Sequence, residues 1–128
     1  MDHTEGSRWE EAEVQPYDPA LFTGDVERRS LPGPGAGPGV SWVRFVDGGR
    51  SNWHVHRGGQ ILHVLEGEGV VVTDGQGVTS LEPGMVVRTP PGARHWHGAR
   101  RGREMTHLAV TCGETDWPDP PERPEALD

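Results

Sequence analysis

The sequence predicts an all-β domain, a small barrel or sandwich, and three observations carry that reading. Short apolar segments recur at roughly 8 to 12 residue spacing, the rhythm of sandwiches and small barrels. Turn chemistry lies between them: Asp47-Gly48-Gly49, Arg57-Gly58-Gly59, Asp74-Gly75-Gln76-Gly77 and Pro83-Gly84. The 19 glycines and 12 prolines punctuate these segments rather than pooling in one tract, and no amphipathic helical pattern interrupts the core.

The opening stretch, MDHTEGSRWEEAEV, has no apolar run behind a basic start, so it does not have the form of a secretory signal. Residues 1–19 are expected to be a partly ordered segment over the barrel, with His3 solvated. Leu31 to Gly39, LPGPGAGPG, cannot be helix or central strand and is expected to be a loop. The strand candidates follow as VSWVRFV, NWHVH, QILHVLEG, GVVVTD, VTSLE, MVVRTP, HWHG and MTHLAVT. Together they place one barrel over residues 20–112. The Pro-rich acidic tail, residues 113–128, is expected to run along the surface from Trp117 onward.

At 128 residues the chain has room for one domain with a modest core, and therefore one site. No apolar run approaches the roughly 18 residues of a membrane-spanning helix. The 20 acidic and 12 basic residues give a formal charge of −8, which repels phosphate backbones and anionic membranes. We therefore expect a cytoplasmic protein acting on a small molecule, with neither nucleic acid nor membrane as partner. A single cysteine, Cys112, excludes an internal disulfide and a multi-cysteine zinc site. It is expected to be a packed thiol near the end of a strand.

Six of the seven histidines fall between positions 54 and 107, inside or beside a strand candidate. His54 and His56 are two apart, so on a strand both imidazoles leave one face about 7 Å apart and can converge on one ion. Gln60 follows the Arg57-Gly58-Gly59 turn, which can bring the next strand back beside the first, and its amide oxygen is a possible neutral ligand. His95 and His97 repeat the spacing after the rigid Pro90-Pro91-Gly92 turn. His63 alternates onto the face opposite Leu62 and Val64 and is expected to be structural. Arg100, Arg101 and Arg103 read as a solvated turn ahead of a carboxylate clamp.

Gly48, five residues, His54-Val55-His56, three residues, Gln60, six residues and Gly67 together resemble the first cupin motif; Gly84, five residues, Pro90-Pro91-Gly92, two residues and His95 resemble the second. The resemblance implies a single-domain cupin, a double-stranded β-helix or jelly-roll barrel. Two positions depart from it: Gln60 stands where most cupins have glutamate, and Ala99 where the second motif usually ends in asparagine. An amide in place of a carboxylate leaves one more net positive charge at an ion, making it a stronger Lewis acid and a weaker reductant.

Phe22-Thr23-Gly24, HVHRGGQ, HWHGA from His95 to Ala99 and MTHLAV from Met105 to Val110 narrow the resemblance to the short cupins that include manganese-dependent bacterial hydroxynitrile lyases. It implies one divalent ion on His54, His56, Gln60 and His95, with manganese ahead of iron, nickel, zinc or copper. It also implies pocket roles for His97 and His107: His107 as general base or, alternatively, a structural histidine bonded to backbone, and His97 as a second proton handler or an orienting donor. Family parity turns Ser41, Val43 and Phe45 toward the ion and Trp42 and Arg44 away, with Phe22 at the mouth. Three functions fit: a metal-dependent enzyme doing Lewis-acid and proton-transfer chemistry, of lyase, dehydratase or isomerase type; a metal-dependent dioxygenase; or a non-catalytic small-molecule binder. Cupins commonly pair through their sheets, so a homodimer or larger assembly is expected.

Overall fold

The computed structural model describes residues 6–31 and 38–128. His3 and most of the Leu31 to Gly39 loop lie outside them. Among the described residues the sole helical piece is a three-residue 3-10 turn, Trp9–Glu11, and no helix is long and apolar enough to cross a membrane.

Eleven strands follow: β1 Val14–Gln15, β2 Phe22–Leu31, β3 Gly39–Ser51, β4 His54–His56, β5 Gln60–Gly67, β6 Gly69–Thr73, β7 Gly77–Leu81, β8 Val86–Thr89, β9 Arg94–Ala99, β10 Glu104–Thr111 and β11 Thr115–Asp116. They form one curled antiparallel sheet. Its spine runs β11-β4-β9-β3-β10-β5-β8, with β2 and β1 continuing from β3, and β6 and β7 from β9. Strands β3 to β10 coincide with the eight sequence candidates. Strand β2 was not among them, because Asp25, Glu27, Arg28 and Arg29 break its apolar alternation. It is placed by pairing with β3 along nearly its whole length, Phe22 opposite Ser51 and Leu31 opposite Val40.

Alternation along these strands builds the interior. On β3, Val43 and Phe45 turn inward. Trp42 and Arg44 turn outward, where the Arg29 guanidinium lies over the Trp42 ring and Arg44 pairs with Glu104 at 2.7 Å. Phe45, Leu62, Val64, Val70, Leu81 and Met105 are almost wholly excluded from water. Burial of each such side chain contributes about 1.5–3 kcal/mol.

Two glycines let strands cross where the site forms. At Gly49 a Cβ would collide with the Asp25 carbonyl oxygen, so β2 could not follow β3 through its bulge. At Gly98 a Cβ would stand 2.5 Å from both the Gly49 carbonyl oxygen and the Arg50 Cβ. Glycine there allows β9 to lie against the end of β3, Arg50 opposite Gly98.

The chain's outer segments are tied to this sheet. Arg29 donates to the carbonyls of Trp9, Glu10 and Ala12. At the other end, Trp53 N donates to the Glu122 carbonyl at 3.0 Å, Arg50 Nε to that of Pro124 at 2.8 Å, and Arg101 N to that of Leu127 at 2.8 Å.

Candidate metal centre

Strands β4 and β9 run antiparallel with His54 opposite His95, which sets their rings 4.4 Å apart, centre to centre. His56, two residues along β4, shares the inward face and lies 4.7 Å from His54 and 5.1 Å from His95. His97, two residues along β9, lies 5.2 Å from His54. Each of the four offers a ring nitrogen, and these nitrogens fall within 4.8 Å of one another. All four side chains are buried.

Their partners outside the cluster fix which nitrogen faces in. His54 Nδ1 donates to the Asn52 carbonyl at 2.7 Å, and His95 Nδ1 to that of Ala93 at 3.0 Å. A carbonyl only accepts, so each ring keeps its proton on Nδ1 and presents the Nε2 lone pair. His56 Nδ1 meets Thr115 Oγ1, on β11, at 2.8 Å. Gln60 donates through Nε2 to Thr111 Oγ1 at 3.0 Å, which leaves Oε1 directed inward, 3.4 Å from His95 Nε2. An outer partner that orients each ligand is the usual architecture of a metal site.

Two of the imidazole nitrogens, His56 Nε2 and His97 Nε2, are buried with no hydrogen-bond partner. An unsatisfied buried polar atom costs about 1–3 kcal/mol; a cation held by the cluster would satisfy His56 Nε2, while His97 Nε2 is left facing the space beside it. Burial also holds the rings neutral. It lowers the pKa of His54 and His97 well below the ordinary 6.5 and that of His56 to about 4, and neighbouring imidazoles add to the effect. His95 is lowered by burial as well. At neutral pH a metal would have no proton to displace from them.

Behind His97 stands His107 on β10, its Nε2 3.4 Å from His97 Nδ1. Its own Nδ1 is buried without a partner, and burial lowers its pKa to about 4. The two rings thus form a hydrogen-bonded pair beside the cluster. Phe45 packs edge-on against both, 5.7 Å from His97 and 5.3 Å from His107.

In front of these rings opens a cavity of about 320 Å³, lined in part by His54, His56, Gln60, His97 and His107, a volume suited to a small organic molecule. Ser41, Val43 and Phe22 lie on its wall. Phe45 faces inward but sits deeper, supporting the two imidazoles from the core. His63 is on the outer face.

Trp117, Thr115, Thr111, Leu21 and Arg28 also line the cavity, and the sequence reading assigned none of them. Trp117 lies 4.5 Å from His54 at 32° and 5.8 Å from Phe22, while Tyr17 meets Phe22 edge-on. An isolated tryptophan in an acidic, Pro-rich tail was the signal available for it.

One expectation is corrected: Cys112 follows the end of β10 as foreseen, but its thiol is exposed. Its backbone pairs with Gly58 and Gly59, a turn with no side chains to cover the sulfur. Arg101 and Arg103 are exposed and Arg100 is half-buried; Arg101 pairs with Asp128 and Glu125, and Arg103 with Glu68.

Comparison with known proteins agrees with this geometry. The Cupin domain family matches residues 41–111. Over 92 residues, 70% of each chain, the sequence is 44% identical to an (R)-mandelonitrile lyase of Granulicella tundricola. Among solved structures, a cupin-like protein of Thermotoga maritima is 35% identical, with a TM-score of 0.73 over 77% of this chain and 79% of that one. The polyketide cyclase RemF of Streptomyces resistomycificus shares the fold, with a TM-score of 0.74 at 21% identity over 98% of this chain and 88% of that one.

Proposed function

The chain belongs to the Cupin domain family, and on that footing we propose that it is a metal-dependent lyase that cleaves a small α-hydroxynitrile to a carbonyl compound and hydrogen cyanide. The observation that carries the reading is the pairing of two devices on one cavity: a neutral nest of ligand nitrogens and, against it, the hydrogen-bonded rings of His97 and His107. The 44% identity to a mandelonitrile lyase supports this choice of substrate class.

His54, His56, His95 and Gln60 would hold the ion, with manganese favoured. Bound on wholly uncharged donors it would keep its full double charge and supply strong Lewis acidity at the substrate oxygen. The protein's own part is to move the proton. His107 Nδ1 takes it from the substrate hydroxyl while the carbonyl forms. The carbon–carbon bond to the nitrile breaks, its electron pair leaving with cyanide. The His107 Nε2 proton passes to His97 Nδ1, and His97 Nε2 gives its proton to the departing cyanide, so the pair ends with as many protons as it began. The largely apolar wall of Val43, Phe22 and Trp117 excludes water and would seat the substrate's hydrocarbon part.

The test is to load the purified protein with manganese, supply mandelonitrile, and follow benzaldehyde, cyanide and dissolved oxygen together. Stoichiometric benzaldehyde and cyanide without oxygen uptake is the expected result. Oxygen consumption in step with substrate loss would mean a dioxygenase instead, and binding without conversion would mean a ligand-binding cupin.

A further inference from the structure

The cavity wall contributed by β2 differs in chemistry from the rest of the molecule. The chain is strongly acidic, with a formal charge of −8, yet among the described residues no aspartate or glutamate lines this cavity. The formally charged side chain on its wall is Arg28.

The strand register shows where Arg28 stands. On β2, Val26, Arg28 and Ser30 lie opposite Phe45, Val43 and Ser41 of β3, and Val43 lies opposite His107 of β10. Arg28, Val43 and His107 therefore form a row across three neighbouring strands. Strand spacing puts the backbones of Arg28 and His107 about 10 Å apart, and both side chains border the same space. That separation suits a small molecule held at one end and attacked at the other.

Among the described residues Arg28 has no hydrogen-bond or ion-pair partner. Its guanidinium lies 5.7 Å from the centre of the Phe22 ring, and burial lowers its pKa with no carboxylate acting against that. Its neighbour Arg29, on the outer face, is by contrast tied to Glu27 and three backbone carbonyls. A half-buried guanidinium presents a planar fork of donors that matches a carboxylate. The Ser41 hydroxyl, one pair further along the same face and 3.3 Å from that of Ser30, adds a neutral donor beside it.

From this arrangement we infer that the natural substrate carries a carboxylate, bound by Arg28 at the β2 wall, with its reacting carbon presented to His107 and the imidazole cluster. The inference rests on the cleavage reading above for the reacting end. The binding end depends on Arg28 alone.

Two cyanohydrins of equal length separate the cases: that of 4-formylbenzoate, and that of its methyl ester, which lacks the charge. The manganese-loaded wild type should favour the carboxylate in kcat/KM by about tenfold or more. Arg28→Gln should erase that ratio, and Arg28→Lys, which keeps charge but not the fork, should restore part of it. A ratio unchanged in Arg28→Gln would overturn the inference. Calorimetric titration of 4-formylbenzoate and its ester into both metal-free and metal-loaded protein gives a second readout. If neither cyanohydrin is turned over, the cleavage reading fails, while tighter wild-type binding of 4-formylbenzoate that is lost in Arg28→Gln still supports the carboxylate site. Equal or undetectable binding of the two aldehydes would overturn it.

Discussion

His97 and His107 share a hydrogen bond, Nδ1 to Nε2 at 3.4 Å, and each ring's other nitrogen is buried without a partner. His97 is thus the joint between the imidazole cluster, whose nitrogens it approaches within 4.8 Å, and the His107 ring behind it. On the proposed reading, proton transfer and metal binding would share one connected array.

The pH profile should reflect that array. Burial places the His107 pKa at about 4, and a general base acts in its neutral form. Hence kcat/KM should hold through neutral and mildly acidic pH and fall only as pH drops toward about 4. A fall centred at the ordinary histidine value of 6.5 would mean that His107 is solvated or is not the base.

Trp117 should govern substrate affinity more than turnover. Its ring covers His54 at 4.5 Å and meets Phe22 at 5.8 Å. Trp117→Ala removes one such aromatic contact, about 0.5–1.5 kcal/mol, so KM for an aromatic cyanohydrin should rise several-fold while kcat changes less. Equal loss in kcat would show that the tryptophan acts on the reacting groups.

Gly98 should not tolerate a side chain. Gly98→Ala puts a Cβ against the Gly49 carbonyl oxygen and Arg50 Cβ at 2.5 Å. Overpacking of this kind costs about 1–3 kcal/mol. The urea midpoint should fall accordingly, and because β9 carries His95 and His97, metal affinity should weaken with it. An unchanged midpoint would mean that β9 can move away from β3 freely.

The parts of the site legible in the sequence are those set by short-range rules. Two-residue spacing puts His54 with His56, and His95 with His97, on shared faces, and glycine-rich turns return Gln60 toward them. The parts that were not legible depend on contacts distant in sequence. Thr115 reaches His56 through β11, a strand of two residues with no periodicity to detect. Arg28 reads as one charge among several, and only the pairing of β2 with β3 turns it inward. Spacing likewise puts His97 beside His95 but cannot say which neighbour its nitrogens meet. The structure sets it against both the ligand cluster and His107.

The central claim is that the buried imidazoles bind a divalent ion, and elemental mass spectrometry of protein purified without chelator tests it most directly. We expect close to one manganese, iron, nickel, zinc or copper per chain in the wild type. The content should fall to a small fraction in His54→Ala, and affinity should drop at least tenfold in Gln60→Ala. Wild-type protein that emerges metal-free and cannot be reloaded with any of these ions would contradict the account.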